Sequence, residues 1–67
     1  MQVGDRIDEA GVLLRDGSGF YLRRERGGRL RLDLRRTPID EVEHQVRVIG
    51  TFVGDDRVDV DGVQRID

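Results

Sequence analysis

The sequence predicts a small all-β domain of five strands, with one short helix between the third and the fourth. Three observations carry this. Apolar and polar residues alternate over most of the chain, the period of a strand with one buried face. Nine glycines and a single proline in 67 residues suit short strands joined by tight turns. One segment, TPIDEVEH at 37–44, breaks the alternation and carries helix-start chemistry instead.

The first strand is AGVLLR, 10–15. Three consecutive apolar residues cannot all face one side of a strand; with Val12 and Leu14 turned inward, Leu13 points out. RDGSGF, 15–20, is a turn in which Gly17 and Gly19 can take positive φ. Phe20–Glu25 is the second strand and Arg29–Leu34 the third, with Phe20, Leu22, Leu30, Leu32 and Leu34 facing inward. A two-residue Gly27-Gly28 loop would set Leu22 against Asp33 and mix the faces. A three-residue loop, 26–28, sets Leu22 against Leu32 and Phe20 against Leu34, with Gly28 in the left-handed region. The outer pairs are then Tyr21–Asp33, Arg23–Arg31 and Glu25–Arg29.

In the 37–44 helix, Thr37 is the cap and Pro38 suits the first helical position. Asp40, Glu41 and Glu43 lie near its positive end, Ile39 and Val42 share a buried face, and His44 complements the dipole at the other end. The fourth strand runs over 45–53, with Val46, Val48 and Phe52 inward and Ile49 and Val53 outward. The fifth covers 57–61 and continues towards Ile66 beyond Gly62. With no repeat or linker, residues 1–67 read as one domain, its ordered core about 7–66.

The chain is near the lower size limit for folding alone, and without cysteine it has no disulfide or thiolate metal site to help. Its net charge of −2 hides a strong segregation. Residues 23–36 hold seven arginines against Glu25 and Asp33, a local +5; the rest holds five arginines against twelve acids, a local −7. There is no lysine. Guanidinium suits bidentate recognition of phosphate and carboxylate, while codon bias filling every basic slot with arginine is the plainer explanation.

The order of three strands, a short helix and two strands resembles the OB-fold, a five-stranded Greek-key barrel. The resemblance implies that the helix plugs one end of the barrel, that the first strand is long and bends at Gly11, and that ligands lie on the face of strands two and three. An SH3-like barrel has similar ingredients. At the level of sequence, "GVLLRDGSGFYLRRERGGRLRLDL" followed by "VRVIGTFVGDDRVDVDGVQRI" resembles a family of short, arginine-rich bacterial proteins of unknown function. Those proteins carry "LLRDG-GF-LRR" and "RLDL" runs and then an "RVRV-GT" strand. The match spans Gly11 to Ile66 and brings no activity with it. His44-Gln45 stands where the family has a glycine turn.

Tyr21, Arg23, Arg29 and Arg31 are therefore the candidate nucleic-acid-binding residues, since guanidiniums that track phosphates and an aromatic that stacks bases are how such faces hold single strands. Another anionic ligand would use the same groups. Neutralisation of these arginines by Glu25 and Asp33 would instead make the face merely solvated. The alternative function is protein association or a homodimer through an exterior patch of Leu13, Ile49 and Val53.

An enzyme is not expected. The lone His44 and lone Ser18 match no nucleophile motif, and turn chemistry explains Ser18. Asp55, Asp56, Asp59 and Asp61 do not follow the EF-hand calcium-loop spacing. Gly17-Ser18-Gly19 lacks the lysine and following helix of a phosphate loop. No cofactor or membrane association is expected, and the N-terminus has no apolar run, so a cytoplasmic location is the default expectation.

Overall fold

The computed structural model describes residues 1–17 and 19–67; the turn role expected of Ser18 lies outside them. Five strands form one sheet: β1 (Arg6–Asp16), β2 (Gly19–Arg24), β3 (Arg29–Asp33), β4 (Gln45–Gly54) and β5 (Arg57–Arg65). Neighbours run in the order β1-β2-β3-β5-β4, and β1 also pairs with β4, so the sheet closes into a ring. All pairs are antiparallel except β3–β5. The expected five-stranded, nearly all-β class is what the chain adopts.

Alternation sets the core. Phe20 and Leu22 of β2, Leu30 and Leu32 of β3, Val46, Val48 and Phe52 of β4, and Val58 and Val60 of β5 all turn into the ring and are buried. Ile7 and Leu13 complete the interior, with Leu34, Val42 and Val63 packed against it. No polar or charged residue is buried among those described.

Strand β1 departs from the expected pattern. It starts at Arg6 rather than residue 10, and its inward set is Ile7, Gly11 and Leu13. Leu13 is fully buried opposite Leu22, while Val12 and Leu14 are half-buried on the outer side. The strand's phase follows Ile7 and the need for a side-chain-free residue where β1 meets β2. A Cβ on Gly11 would stand 2.2 Å from the Arg23 carbonyl oxygen. Gly50 plays the same part on β4, where a Cβ would stand 2.4 Å from the Asp59 carbonyl oxygen. A register shift in the β4–β5 ladder falls between Ile49 and Gly50.

The β2–β3 hairpin keeps the expected faces but slips by two residues. Phe20 pairs with Leu32, Tyr21 with Arg31, Leu22 with Leu30 and Arg23 with Arg29. The Arg24 N–H donates to the Gly28 carbonyl at 3.0 Å, and the Gly27 N–H to the Arg24 carbonyl at 3.0 Å, so the loop is 25–27. Gly28 has the expected positive φ, 81°, and Gly27 shares it at 102°. Sequence parity fixes which face a residue takes, but a slip of two preserves parity and only the turn decides it. Gly17 has positive φ, whereas Gly19 opens β2 as an ordinary strand residue.

The 37–44 helix is reduced to a single 3₁₀ turn, Ile39–Glu41. Thr37 makes no side-chain cap, Pro38 has ψ 66°, and Ile39 is 66% exposed instead of sharing a buried face with Val42. The competitor is β1. The Glu43 N–H donates to the Leu13 carbonyl at 2.7 Å, and the Leu13 N–H donates to the His44 carbonyl at 3.2 Å. Residues 43 and 44 are thus taken by the ladder, with Glu43 at φ 68°, and two turns of helix have no length left. His44 consequently caps no helix.

Two substitutions test these constraints by thermal melting. Gly11→Ala should destabilise by ~2–3 kcal/mol, because the added methyl meets backbone rather than a movable side chain; in a domain this small that lowers Tm by ~10 °C or more. Asp55 and Asp56 form the two-residue β4–β5 turn with φ 52° and 55°, so Asp56→Gly should raise stability by a few tenths to ~1 kcal/mol through relief of left-handed strain.

Candidate nucleic-acid interface

The outer side of β1, β2, β3 and β5 is organised by cross-strand rows. Leu14 pairs with Tyr21, Tyr21 with Arg31, and Arg31 with Arg57, giving one row across four strands. The adjoining row is Val12, Arg23 and Arg29. All four predicted residues, Tyr21, Arg23, Arg29 and Arg31, therefore meet on one face. The surplus apolar residues of β1 border this face as a shelf beside Tyr21, instead of gathering on the β1–β4 side.

Of the two acids expected to neutralise the face, Glu25 is engaged off it, and Asp33 stays on it but pairs with Arg57 rather than with Arg23, Arg29 or Arg31. Asp33 lies 3.7 Å from Arg57, and Glu25 accepts a hydrogen bond from Gln45 Nε2 at 3.2 Å. Among the described residues no carboxylate makes an ion pair with Arg23, Arg29 or Arg31. The slipped register sets Arg23 against Arg29 rather than Arg31, so like charges still stand directly opposite, and Arg31 faces Arg57 across the parallel ladder. Such pairs cost roughly 0.2–1 kcal/mol in a sheet, which a bound anion reverses.

Tyr21 is half-buried, and the Arg29 guanidinium lies over its ring at 5.0 Å from the centroid. An exposed cation–π contact is worth ~0.5–1 kcal/mol. Stacking of a base on an aromatic is worth ~1–3 kcal/mol, enough to displace the guanidinium or to add to it on the open side.

At one end the face runs into an open pocket of about 410 Å³, lined by Gly19, Arg31, Asp33, Arg35, Arg36, Thr37 and Arg57 among others. It sits between the start of β2, just past the β1–β2 turn, and the start of β5, just past the β4–β5 turn. Arg35 reaches Asp61 only at 3.7 Å. Long, exposed ion pairs of this kind contribute ~0–1 kcal/mol. Arg57 joins the four predicted residues on this face, and sequence reasoning missed it. Alternation with Val58 puts it outside, but the parallel pairing that brings it beside Arg31 has no local signal.

The second predicted patch does not assemble. Leu13 is in the core, Ile49 is half-buried, and Val53 is exposed at 44%. Ile49 lies opposite Asp8, whose carboxylate takes a bidentate pair from Arg47 at 2.7 and 2.5 Å. That hydrogen bond from Arg47 holds the Asp8 carboxyl below its ordinary range. Arg6 spans from Thr51 (3.2 Å) to Asp61 (2.6 Å) on the same side. Charge covers the surface where the apolar patch was expected.

His44 Nδ1 instead meets Asp67 Oδ2 at 2.8 Å, and Arg65 Nε donates to Asp67 Oδ1 at 2.6 Å. Asp55, Asp56, Asp59 and Asp61 form no metal-holding group; among the described residues no cluster of three or more histidine, cysteine or acidic side chains does. No helix among them is long and apolar enough to cross a membrane.

The architecture and its surface define a small, ring-closed β domain with an arginine-rich outer face on β2 and β3 that continues onto Arg57 of β5, where Asp33 and Asp59 adjoin it. The chain belongs to the family described as Protein of unknown function (DUF5818), whose model matches residues 10–66. No curated protein and no solved structure matches it.

The contact from Arg65, with His44 adding to it, lowers the Asp67 carboxyl to about 2. A depressed carboxylate contributes stability that is present above its unfolded value near 4 and is lost as pH falls through about 2. A carbon-detected NMR titration should find the Asp67 midpoint near that low value, and Arg65→Ala should move it up towards 4.

Proposed function

We propose that this protein is a non-catalytic binding module of OB-like, Greek-key architecture that holds single-stranded nucleic acid on the outer face of β2, β3 and β5. The architecture is supported by the strand order, by a first strand shared between β2 and β4, and by the parallel β3–β5 pair. The observation that carries the function is the Leu14–Tyr21–Arg31–Arg57 row. It places an apolar and aromatic platform directly beside guanidiniums that no carboxylate of the described residues pairs with at Arg31, and pairs with only at 3.7 Å at Arg57. Bases stack on the platform while the arginines follow the phosphates, a sequence-tolerant mode.

Fluorescence anisotropy with labelled single-stranded oligonucleotides at two salt concentrations tests this. Tyr21→Ala should weaken binding by ~1–3 kcal/mol. Arg31→Ala should reduce the slope of log affinity against log salt by about 0.7, the share of one phosphate contact on a single strand. Absence of binding at the lower salt refutes the proposal. Salt-insensitive self-association abolished by Ile49→Asp would favour the protein-association alternative in its place.

A further inference from the structure

The pocket at the end of the basic face has a composition that a backbone-tracking surface does not require. Asp33 is the one carboxylate among its lining residues, against Arg31, Arg35, Arg36 and Arg57, which all line it. They come from three separate places in the fold: mid-β3, the segment after β3, and the start of β5. Gly19 forms part of the wall, and its lack of a side chain leaves room for Arg31. A Cβ there would stand 3.2 Å from Arg31 Nη1, although Gly19 has no positive φ that calls for glycine. Thr37 adds a hydroxyl. The ion pairs that touch the pocket, Arg57–Asp33 and Arg35–Asp61, are both 3.7 Å long and exposed, so a stronger anion can replace them.

A phosphodiester in a strand carries one charge and two free oxygens. A phosphate monoester carries about −1.5 to −2 at neutral pH and three acceptor oxygens, matched by several guanidiniums rather than one. The pocket also stands where the face stops, at the end of β3, so a strand lying along Arg29 and Arg31 reaches it with its end. We propose that the pocket binds a phosphate monoester dianion, namely the terminal phosphate of a nucleic-acid strand. The strand as the source rests on the function proposed above; the pocket's preference for a dianion does not.

The test compares one six-nucleotide oligothymidylate carrying a 5′-phosphate, a 3′-phosphate or neither, bound to the full chain and to the Arg35→Ala/Arg36→Ala double variant. Both arginines are exposed and outside the strands, and an amide NMR spectrum verifies that the variant is folded. One phosphorylated form should bind roughly tenfold or more tightly than the unphosphorylated one, the effect of added charge-assisted contacts. That ratio should collapse in the double variant and shrink at pH 5, where the monoester loses its second charge. Equal affinity of all three oligonucleotides, or a ratio that survives the double substitution, overturns the inference and leaves the proposed function standing. If no oligonucleotide binds, the proposed function falls, and thymidine 5′-monophosphate decides the pocket. Amide shifts at Gly19, Arg31 and Arg57 that vanish in the double variant support a site for free phosphate monoesters; no such shifts overturn it.

Discussion

Strand β1 hydrogen-bonds β4 from Arg6 to Val12 and β2 from Gly11 to Asp16, so both ladders claim residues 11 and 12. A strand serves two partners in this way only by turning sharply where they overlap. Gly11 sits at that place, with β2's backbone inside the space a methyl would occupy. The turn is what converts five strands into a ring, and the ring is what gives so short a chain an interior. Eleven apolar side chains of the described residues are buried inside it, in a chain that has no cysteine to staple it. The same turn sets the phase of β1 and so brings Leu14 beside Tyr21, which makes the basic face a continuous surface.

The face owes its character to a division of labour within one hairpin. Leucine and arginine alternate from Arg29 to Leu32, and Asp33-Leu34 continues the period. A strand with a buried side must send every second residue outward, so the leucines enter the core and the arginines collect together. The acids that could have balanced them are drawn to other partners: Asp33 to β5's Arg57, and Glu25 to β4's Gln45. Closure of the ring thus gives these acids partners from strands distant in sequence.

Face assignments in β2 to β5 were legible because alternation is a local property and the core is one-sided. Register was not, since a slip of two changes no face and the Glu25-Arg26-Gly27 turn alone decides it. Leu13 was misplaced because Val12 and Leu14 outnumber it locally, whereas Ile7, three residues before the expected strand start, sets the phase. Thr37, Pro38 and Asp40 do spell a helix start, but the ladder to Leu13 takes residues 43 and 44 first. Tyr21, Arg23, Arg29 and Arg31 could be found from one hairpin. Arg57, and with it the terminal pocket, depends on a contact between distant strands.

The β3–β5 seam that makes this contact is short, with three residue pairs from Arg31–Arg57 to Asp33–Asp59. Few hydrogen bonds hold it, so it is the natural place for the ring to breathe, baring two raw sheet edges. Each of those edges carries an arginine and an aspartate, Arg31 with Asp33 and Arg57 with Asp59, and charged edge strands resist pairing with another molecule. The like-charge pairs that oppose each other across the closed seam would, on an opened edge, be charged side chains of the kind that disfavour strand addition.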